Sequence, residues 1–507
     1  MDHKVQPNIV LVLIDTLRAD HLSCYGHARR TSPSIDRIAE RGTLFECAVS
    51  SAAWTPPAHA SLFTGTYPSR HGVELSRLVL NPALDPLPEV LHRHGYRTYG
   101  VSSNHWLSRE TRFDRGFDQF VHSWQLVQMA GTNHPLRRQQ SKNELASDAL
   151  AGDAAPAGLG YAFASRLNAL YEDATKRLRQ RLHAYDDGAW RVNHLVKRWV
   201  GEWSRAERPF FAFLHYMEPH IRYNAPGRFH RMHVPSGIGE QRVRRVNQDP
   251  WRFLSGRAPM DEEDFAILSG LYDGEVSYVD ERVGQVFEML RSAGLLERTL
   301  VIVTSDHGEN LGDHGLMSHS YCLYDSLLRV PLILCHPGEF PAGERVGQQV
   351  QTLDLFSTIL ALAGVRDEKA SEQNQGEPLF AADVHSRGDR LAYSEYLEPE
   401  PAMAQLRRRF PEFEPRPYDR ALRSARTREL KYVWASDGRD ELYDLVKDPG
   451  ETSNRIEAEP ERAAHLRSAL ESWTSSFDHA THDPEGRDTI EIDDDMRRRL
   501  EDLGYLA

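Results

Sequence analysis

A hydroxyl, a pair of prolines and a histidine one turn further on stand together in AAWTPPAHASLFTG, residues 52–65. Proline at the first helical position loses nothing, because that N–H has no intrahelical partner anyway. The residue before it is the helix cap, a place where Thr is favoured. Thr55 is therefore expected at a helix N-terminus, beside free backbone N–H groups and a positive dipole end, where an anion binds. A hydroxyl so placed either caps the helix or attacks an anionic ester. Three other segments read as apolar runs with polar tips: NIVLVLI before Asp15, YRTYGVSS before Asn104, and TLVIVTS before Asp306–His307. Asp306 and His307 offer an oxygen and a nitrogen ligand, and Asp15 offers a second carboxylate. Together they make a divalent metal site, with Thr55 Oγ as a fourth ligand.

These residues need a frame that brings distant segments together. Residues 8–14 form a continuous β-branched apolar run, as expected of a parallel central strand. SPSIDRIAERG (32–42) reads as a helix capped by Ser32 and stopped by Gly42. Residues 87–104 read as helix, a stop at Gly95, then strand. Residues 209–220 read as strand into loop, and 299–309 and 330–338 as two more strands. Tyr272, Val276, Val279, Val283, Val286 and Leu290 recur at helical spacing, so 271–293 is expected as an amphipathic helix closed by Gly294, with Asp280 in it as scaffolding. Alternating strands and helices give an α/β fold with a mostly parallel sheet, and in such sheets chemistry gathers at the carboxyl ends of strands.

Segment 124–208 differs. It is expected as a polar loop followed by an Arg-rich helix over 166–203 with a solvated face. EKASEQNQGEP (367–377) reads as a polar linker. Residues 420–451 read as short strands with turns at Asp437–Gly438 and Asp448–Pro449–Gly450, giving a small antiparallel sheet with a final helix. The domain division expected is 1–370, with the insertion at about 124–205, and 371–507. His215, on the strand at 210–217, is expected to pack, and His314 to lie in a surface loop.

The totals set outer limits. The chain has 507 residues, 61 basic and 74 acidic, a net charge of −13. That balance argues against a nucleic-acid partner, which calls for a basic face. Cys24, Cys47, Cys322 and Cys335 are widely spaced and expected as free thiols of a reducing compartment. The apolar run Ile9–Ile14 is too short for a membrane span, and no later stretch spans a bilayer. The expectation is a cytoplasmic protein without a membrane span, with oligomerisation left open.

The chain resembles the sulfatase family of the alkaline-phosphatase superfamily. The likeness is carried by PNIVLVLIDTLRADHLSCYG (7–26), TPPAHASLFTG (55–65), GYRTYGVSSN…RGFDQF (95–120), FFAFLHYMEPH (210–220), YDGEVSYVDERVG (272–284), TLVIVTSDHGE (299–309) and RVPLILCHPG (329–338), with the tail ELYDLVKDPGETSN (441–454) similar to the family's C-terminal subdomain. It implies a three-layer sandwich with a large, mostly parallel mixed sheet and a small C-terminal antiparallel sheet. It implies metal-binding roles for Asp15 and Asp306, with His307 where phosphodiester and phosphonate hydrolases of the superfamily carry His. It places His220 at the Pro-His histidine near the substrate anion or leaving group. His319 falls near a substrate-binding Lys, and Asn104 where the family has a polar anion contact.

The departures direct the chemistry. Sulfatases carry C-x-P-x-R or S-x-P-x-R, whose first residue is oxidised to formylglycine. Here the pattern reads Thr55-Pro56-Pro57-Ala58-His59. Threonine's Cβ bears a methyl group, so oxidation gives no aldehyde, and His59 replaces the Arg. Thr16 stands where the family has a second Asp ligand. A formylglycine hydrate expels sulfate through its second hydroxyl; threonine lacks that exit, whereas a phosphorylated threonine can be resolved by water at phosphorus. The expectation is a metal-dependent hydrolase of phosphodiester, phosphonate or phosphate esters, with Thr55 as nucleophile and one divalent ion (Mn, Zn, Ca or Mg) held by Asp15, Thr16, Thr55, Asp306 and His307. His59 or His220 would protonate the leaving group, and Asn104 and His319 would bind the substrate. The alternatives are a sulfuric ester hydrolase and a degenerate member that binds an anion or a partner without turnover.

Overall fold

Strand β1 (Asn8–Ile14) shows how the core is organised. All seven of its residues are buried, as a strand covered on both faces must be. Successive side chains point to opposite faces. Ile9, Leu11 and Leu13 pack with the helices Thr55–Thr64, Leu87–Arg93 and Asp354–Leu362, while Val10, Val12 and Ile14 pack with Ala189–Trp203 and Glu262–Ser292. Each such side chain contributes about 1.5–3 kcal/mol when fully buried, so both faces hold the strand. The computed structural model describes residues 6–123, 186–388 and 390–480.

The large sheet adds β2 (Thr43–Val49), β3 (Arg97–Ser102), β4 (Gln119–His122), β5 (Phe210–Tyr216) and β6 (Thr299–Thr304). After a two-stranded ribbon of β7 (Asn310–Leu311) and β8 (Met317–Ser318) come β9 (Arg329–Cys335) and β10 (Glu344–Gln351). The order is β10-β2-β9-β6-β1-β5-β3-β4, and every pairing is parallel except the two made by β9. With helices on both faces, this is the expected three-layer α/β sandwich with a mostly parallel mixed sheet.

A smaller antiparallel sheet follows: β11 (Ala392–Tyr396), β12 (Leu422–Arg426), β13 (Leu430–Ala435) and β14 (Glu441–Asp444). Helix Pro460–Thr474 covers it, setting Ala463, Leu466 and Leu470 against Ala425, Tyr432 and Leu442. Buried Lys431 ties this sheet to the loop before β9. Its ammonium lies 2.5 Å from Asp325 and 2.7 Å from Glu451, and donates to Leu323 O at 3.0 Å.

Several local expectations change. The long helix begins at Glu262, nine residues earlier than its apolar stripe suggests, because Asp261 and Asp264 form a capping box. Helix Pro33–Ala39 forms, but Ser32 makes no side-chain cap bond. Asp280 of the long helix caps it instead, accepting from Ser34 N at 3.0 Å and Ile35 N at 2.7 Å. The segment read as a linker contains helix Glu368–Gln373, and Gln373 Nε2 donates to Thr64 O and Asp85 O, which fastens it to the main body. Of the Arg-rich helical reading, Ala189–Trp203 is described; Val192, Val196 and Trp199 are buried against the sheet, while Lys197 and Arg198 face water. The remainder of 124–185 and the C-terminal stretch 493–507 lie outside the described residues. All four cysteines are free thiols. Among the described residues no helix is long and apolar enough to cross a membrane.

Candidate active site

Four parallel strands, β6, β1, β5 and β3, lie side by side and end along one edge. Leu13 pairs with Thr304 and Ile14 with Tyr216, so the chain leaves these strands at the same level. The loops beyond them carry Asp306–His307, Asp15–Thr16, His220 and Asn104. Helix Thr55–Thr64 brings Thr55 to the same edge. Its N-cap is Trp54, with Thr55 the first helical residue, so the helix starts one residue earlier than expected. The Thr55 hydroxyl is thereby released from capping and lies 3.3 Å from His307 Nε2.

Asp15, Asp306 and His307 are buried, and one ligand atom from each lies within 4.8 Å of the others. His307 Nε2 is 3.4 Å from Asp306 Oδ2 and 3.9 Å from Asp15 Oδ1. His307 Nδ1 donates to Gly308 O at 2.9 Å, so the neutral ring has its lone pair on Nε2. Asp15 Oδ1, Asp306 Oδ2 and Thr16 Oγ1 are buried and accept no hydrogen bond among the described residues. Burying such oxygens without a partner is costly. Two carboxylates, a fixed imidazole and a hydroxyl fit a divalent cation.

The backbone around these groups is tightly specified. Thr16 adopts φ 56°, a left-handed conformation that costs a non-glycine residue roughly 1–2 kcal/mol. Thr16 N donates to Asp306 Oδ1 at 3.3 Å, Leu17 N to Ser305 Oγ at 2.9 Å, and Tyr272 OH to Thr16 O at 2.8 Å. The turn is held from three sides. After His307, a Cβ on Gly308 would stand 2.1 Å from Ser326 O, so only glycine lets the loop carrying β7 pass here.

Charge is distributed unevenly. Burial disfavours the Asp15 anion, but His215, whose Nε2 is 3.3 Å from Oδ2, and the nearby His220 and His307 hold its carboxyl well below the usual range. Burial, and then the charge of Asp15, push Asp306 up to about 6. Without a cation the second carboxylate is therefore harder to ionise than the first, as expected of two acids sharing one cavity. Burial likewise lowers His59 to about 3, His220 to about 4 and His319 to about 3.

The structure brings every expected site residue to this edge and alters the surroundings of several. His59 lies beneath Thr55, its ring 6.0 Å from Phe213 and 6.4 Å from Phe63. Its Nδ1 donates to Thr55 O at 2.9 Å and stands 3.5 Å from Asp306 Oδ2. Wholly buried and neutral, it is placed to steady the helix start and Asp306 rather than to protonate a leaving group. Asn104 is engaged by the protein: Nδ2 donates to Asp15 Oδ2 at 2.9 Å, and Oδ1 accepts from Trp106 N at 2.9 Å. His319 lies between His307 and His220, with ring centroids at 4.6 Å and 5.1 Å. His220 Nδ1 donates to Ile221 O at 2.7 Å. His314 is exposed and stacks on Tyr324, as a loop residue.

Two site residues escape the sequence reading. His215, expected to pack, has Nε2 3.3 Å from Asp15 Oδ2. Its signal is alternation: Phe211, Phe213 and His215 share a face of β5, and His215 comes next to last in the strand, beside Leu13. Glu309 is wholly buried, stands 3.3 Å from His319 Nδ1, and is pushed up to about 7 by burial. Its type and place, three residues after Asp306, were the available clue.

Comparison with known proteins agrees with this geometry. Residues 7–365 match the sulfatase family model, and residues 312–475 match the C-terminal model of N-sulphoglucosamine sulphohydrolase. An uncharacterized sulfatase of Escherichia coli (strain K12) is 26% identical over 489 residues, covering 94% of this chain and 88% of that protein. Iduronate 2-sulfatase of Mus musculus is 25% identical over 423 residues, 71% of this chain and 69% of its own. Among solved structures, the phosphonate monoester hydrolase of Agrobacterium radiobacter superposes with a TM-score of 0.64 at 21% identity, over 93% of this chain and 95% of that one. A protein solved with its substrate D-glucosamine-2-N,6-O-disulfate gives 0.65 at 18% identity, over 92% of this chain and 97% of that one. The family match spans the strands, the helix and the loops that build the buried cluster, and the chain belongs to the sulfatase family of ester hydrolases.

Proposed function

We propose that the protein hydrolyses phosphodiesters or phosphonate monoesters with Thr55 Oγ as nucleophile and one divalent cation held by Asp15, Asp306 and His307. The observation that carries this reading is the 3.3 Å separation between Thr55 Oγ1 and His307 Nε2, which sets the hydroxyl against the cluster of ligand atoms. A divalent cation bound there supplies positive charge that lowers the hydroxyl pKa and draws electron density from the ester oxygens.

The chain's own groups do the rest. Thr55 Oγ forms a bond to phosphorus as the bond to the leaving oxygen breaks. His220 is neutral and carries its proton on Nδ1, so Nε2 serves as acceptor. We assign it to receive the Thr55 proton and return it to the leaving oxygen. Water then adds to phosphorus, the P–Oγ bond breaks, and Thr55 regains its proton. Asn104 and His215 keep Asp15 charged and oriented. The preference for phosphorus rests on Thr55, whose methyl-bearing Cβ forbids the aldehyde route that releases sulfate. A sulfuric ester substrate is the second reading, favoured by the family model.

The test is metal-stripped protein assayed on aryl phosphodiester, aryl phosphonate, aryl phosphate and aryl sulfate, with Mn²⁺, Zn²⁺, Ca²⁺ or Mg²⁺ restored in turn. Activity is expected to vanish on stripping and to return first on the diester or phosphonate. Faster turnover of the sulfate would overturn the preference. Metal bound with no ester turned over would make the chain an anion- or partner-binding member.

A further inference from the structure

A second group of ligand-type side chains lies outside this site. His21 ends the short turn Ala19–His21, Gly26 turns the chain with φ 97°, and His27 returns beside His21. The two rings stack with centroids 4.9 Å apart and 25° between their planes. Both face Asp273 of the long helix: His21 Nδ1 is 2.6 Å from Oδ1, and His27 Nε2 is 3.1 Å from Oδ2. One donor atom from each of the three lies within 4.8 Å of the others. Arg29 Nη1 also bonds Oδ2, at 2.6 Å, from a side chain 36% exposed. Half-buried His233 feels the charges of Asp273, Arg29 and His27 while its Nε2 bonds Ser277 Oγ at 2.8 Å.

We propose that His21, His27 and Asp273 form a second metal site, for a zinc-class transition ion, that clasps the loop after β1 onto the long helix. Burial disfavours the Asp273 anion, but its hydrogen bonds to His21 and His27, and then Arg29, hold the carboxyl well below the usual range, so a buried anion stands between two ring nitrogens of ligand type. As neutral ligands, two imidazole nitrogens and a carboxylate oxygen are a usual zinc donor set, with water in the fourth position. Zinc–ligand bonds of about 2.0–2.2 Å at the tetrahedral angle separate ligand atoms by roughly 3.3 Å. His21 Nδ1 and Asp273 Oδ1, 2.6 Å apart, must therefore open by about 0.7 Å to take the ion. Asp273 is fixed in the helix and buried; the imidazoles, 9% and 17% exposed, face the way in. Arg29 occupies the carboxylate without the ion and moves to water when a dication enters, because the two repel.

The test uses the full-length chain, stripped of metal and equilibrated with zinc, and counts bound ions per chain. Wild type is expected to bind one zinc more than His21→Gln or His27→Gln, with its thermal midpoint raised by zinc through that extra ion. Asp306→Asn is expected to keep this ion, which separates it from the ion of the active site. Arg29→Ala is expected to bind it about tenfold more tightly, since a competing cation is gone. Equal zinc content in wild type and both histidine variants would overturn the proposal. So would an Arg29→Ala protein that is less stable and no tighter for zinc, because that is the behaviour of an ion pair alone.

Discussion

Thr55 carries the functional conclusion, and two substitutions examine it. Thr55→Ala removes the nucleophile and is expected to lower kcat on the preferred ester on the order of a thousandfold or more, while Thr55→Ser keeps the hydroxyl and stays within roughly tenfold of wild type. Equal kcat in the Thr55→Ala protein would remove Thr55 from the chemistry. Thr55 and Asp15, Asp306 and His307 were legible because each sits at the end of an apolar run or beside a proline, where local pattern fixes position. Thr16 was legible only through family likeness, since nothing local announces its left-handed backbone. His215 was misread because a histidine inside a strand has the same pattern whether it fills space or faces a carboxylate. Only β1 beside β5 shows that it meets Asp15.

At the scale of elements, the helix bearing Thr55 is braced by a buried histidine. His71 closes the short helix Pro68–His71, accepts from Val73 N at 3.0 Å through Nδ1, and sets Nε2 3.1 Å from Ser61 Oγ. Burial lowers its pKa from 6.5 to about 3. The folded state thus holds His71 neutral where the unfolded chain takes a proton. The stabilisation is complete above pH 6.5 and declines as the pH falls toward 3, by up to about 1.4 kcal/mol per unit. Urea unfolding at a series of pH values checks this, and His71→Gln is expected to flatten the slope over that window. Element types were read well where hydrophobic period was strong, as in β1, β6 and the long helix. Ends were read less well because tertiary groups decide them. Asp280 starts a helix that Ser32 was expected to cap, and Gln373 turns an apparent linker into packed structure. β11 went unread because it is a strand by virtue of pairing with β12, far along the chain.

At the scale of the whole molecule, buried charges link the two sheets, Arg426 bonding Asp325 and Gln349 of β10 beside Lys431. Lys431 is wholly buried between Asp325, which precedes β9, and Glu451 beyond β14. Removing one member of such a cluster leaves uncompensated charge and costs about 3–5 kcal/mol. Lys431→Ala is expected to lower the unfolding free energy measured in urea by that much, and an unchanged midpoint would show that the sheets dock without it.

The sheet order also bears on how the chain is made. β1 lies between β5 and β6, and Thr16 meets Asp306 across 290 residues of sequence. During synthesis the apolar strand β1 emerges long before either of its neighbours. Pairings of such separation are slow to close and leave apolar surface open to aggregation. The strand's two edges are not both paired until residue 304 has been made. The same order sets when the enzyme acquires its chemistry, because no fragment ending before Asp306 can assemble the cluster. Chains truncated before Asp306 are expected to be inactive in an ester assay even when they contain Thr55, and activity in such a chain would remove Asp306 and His307 from the chemistry.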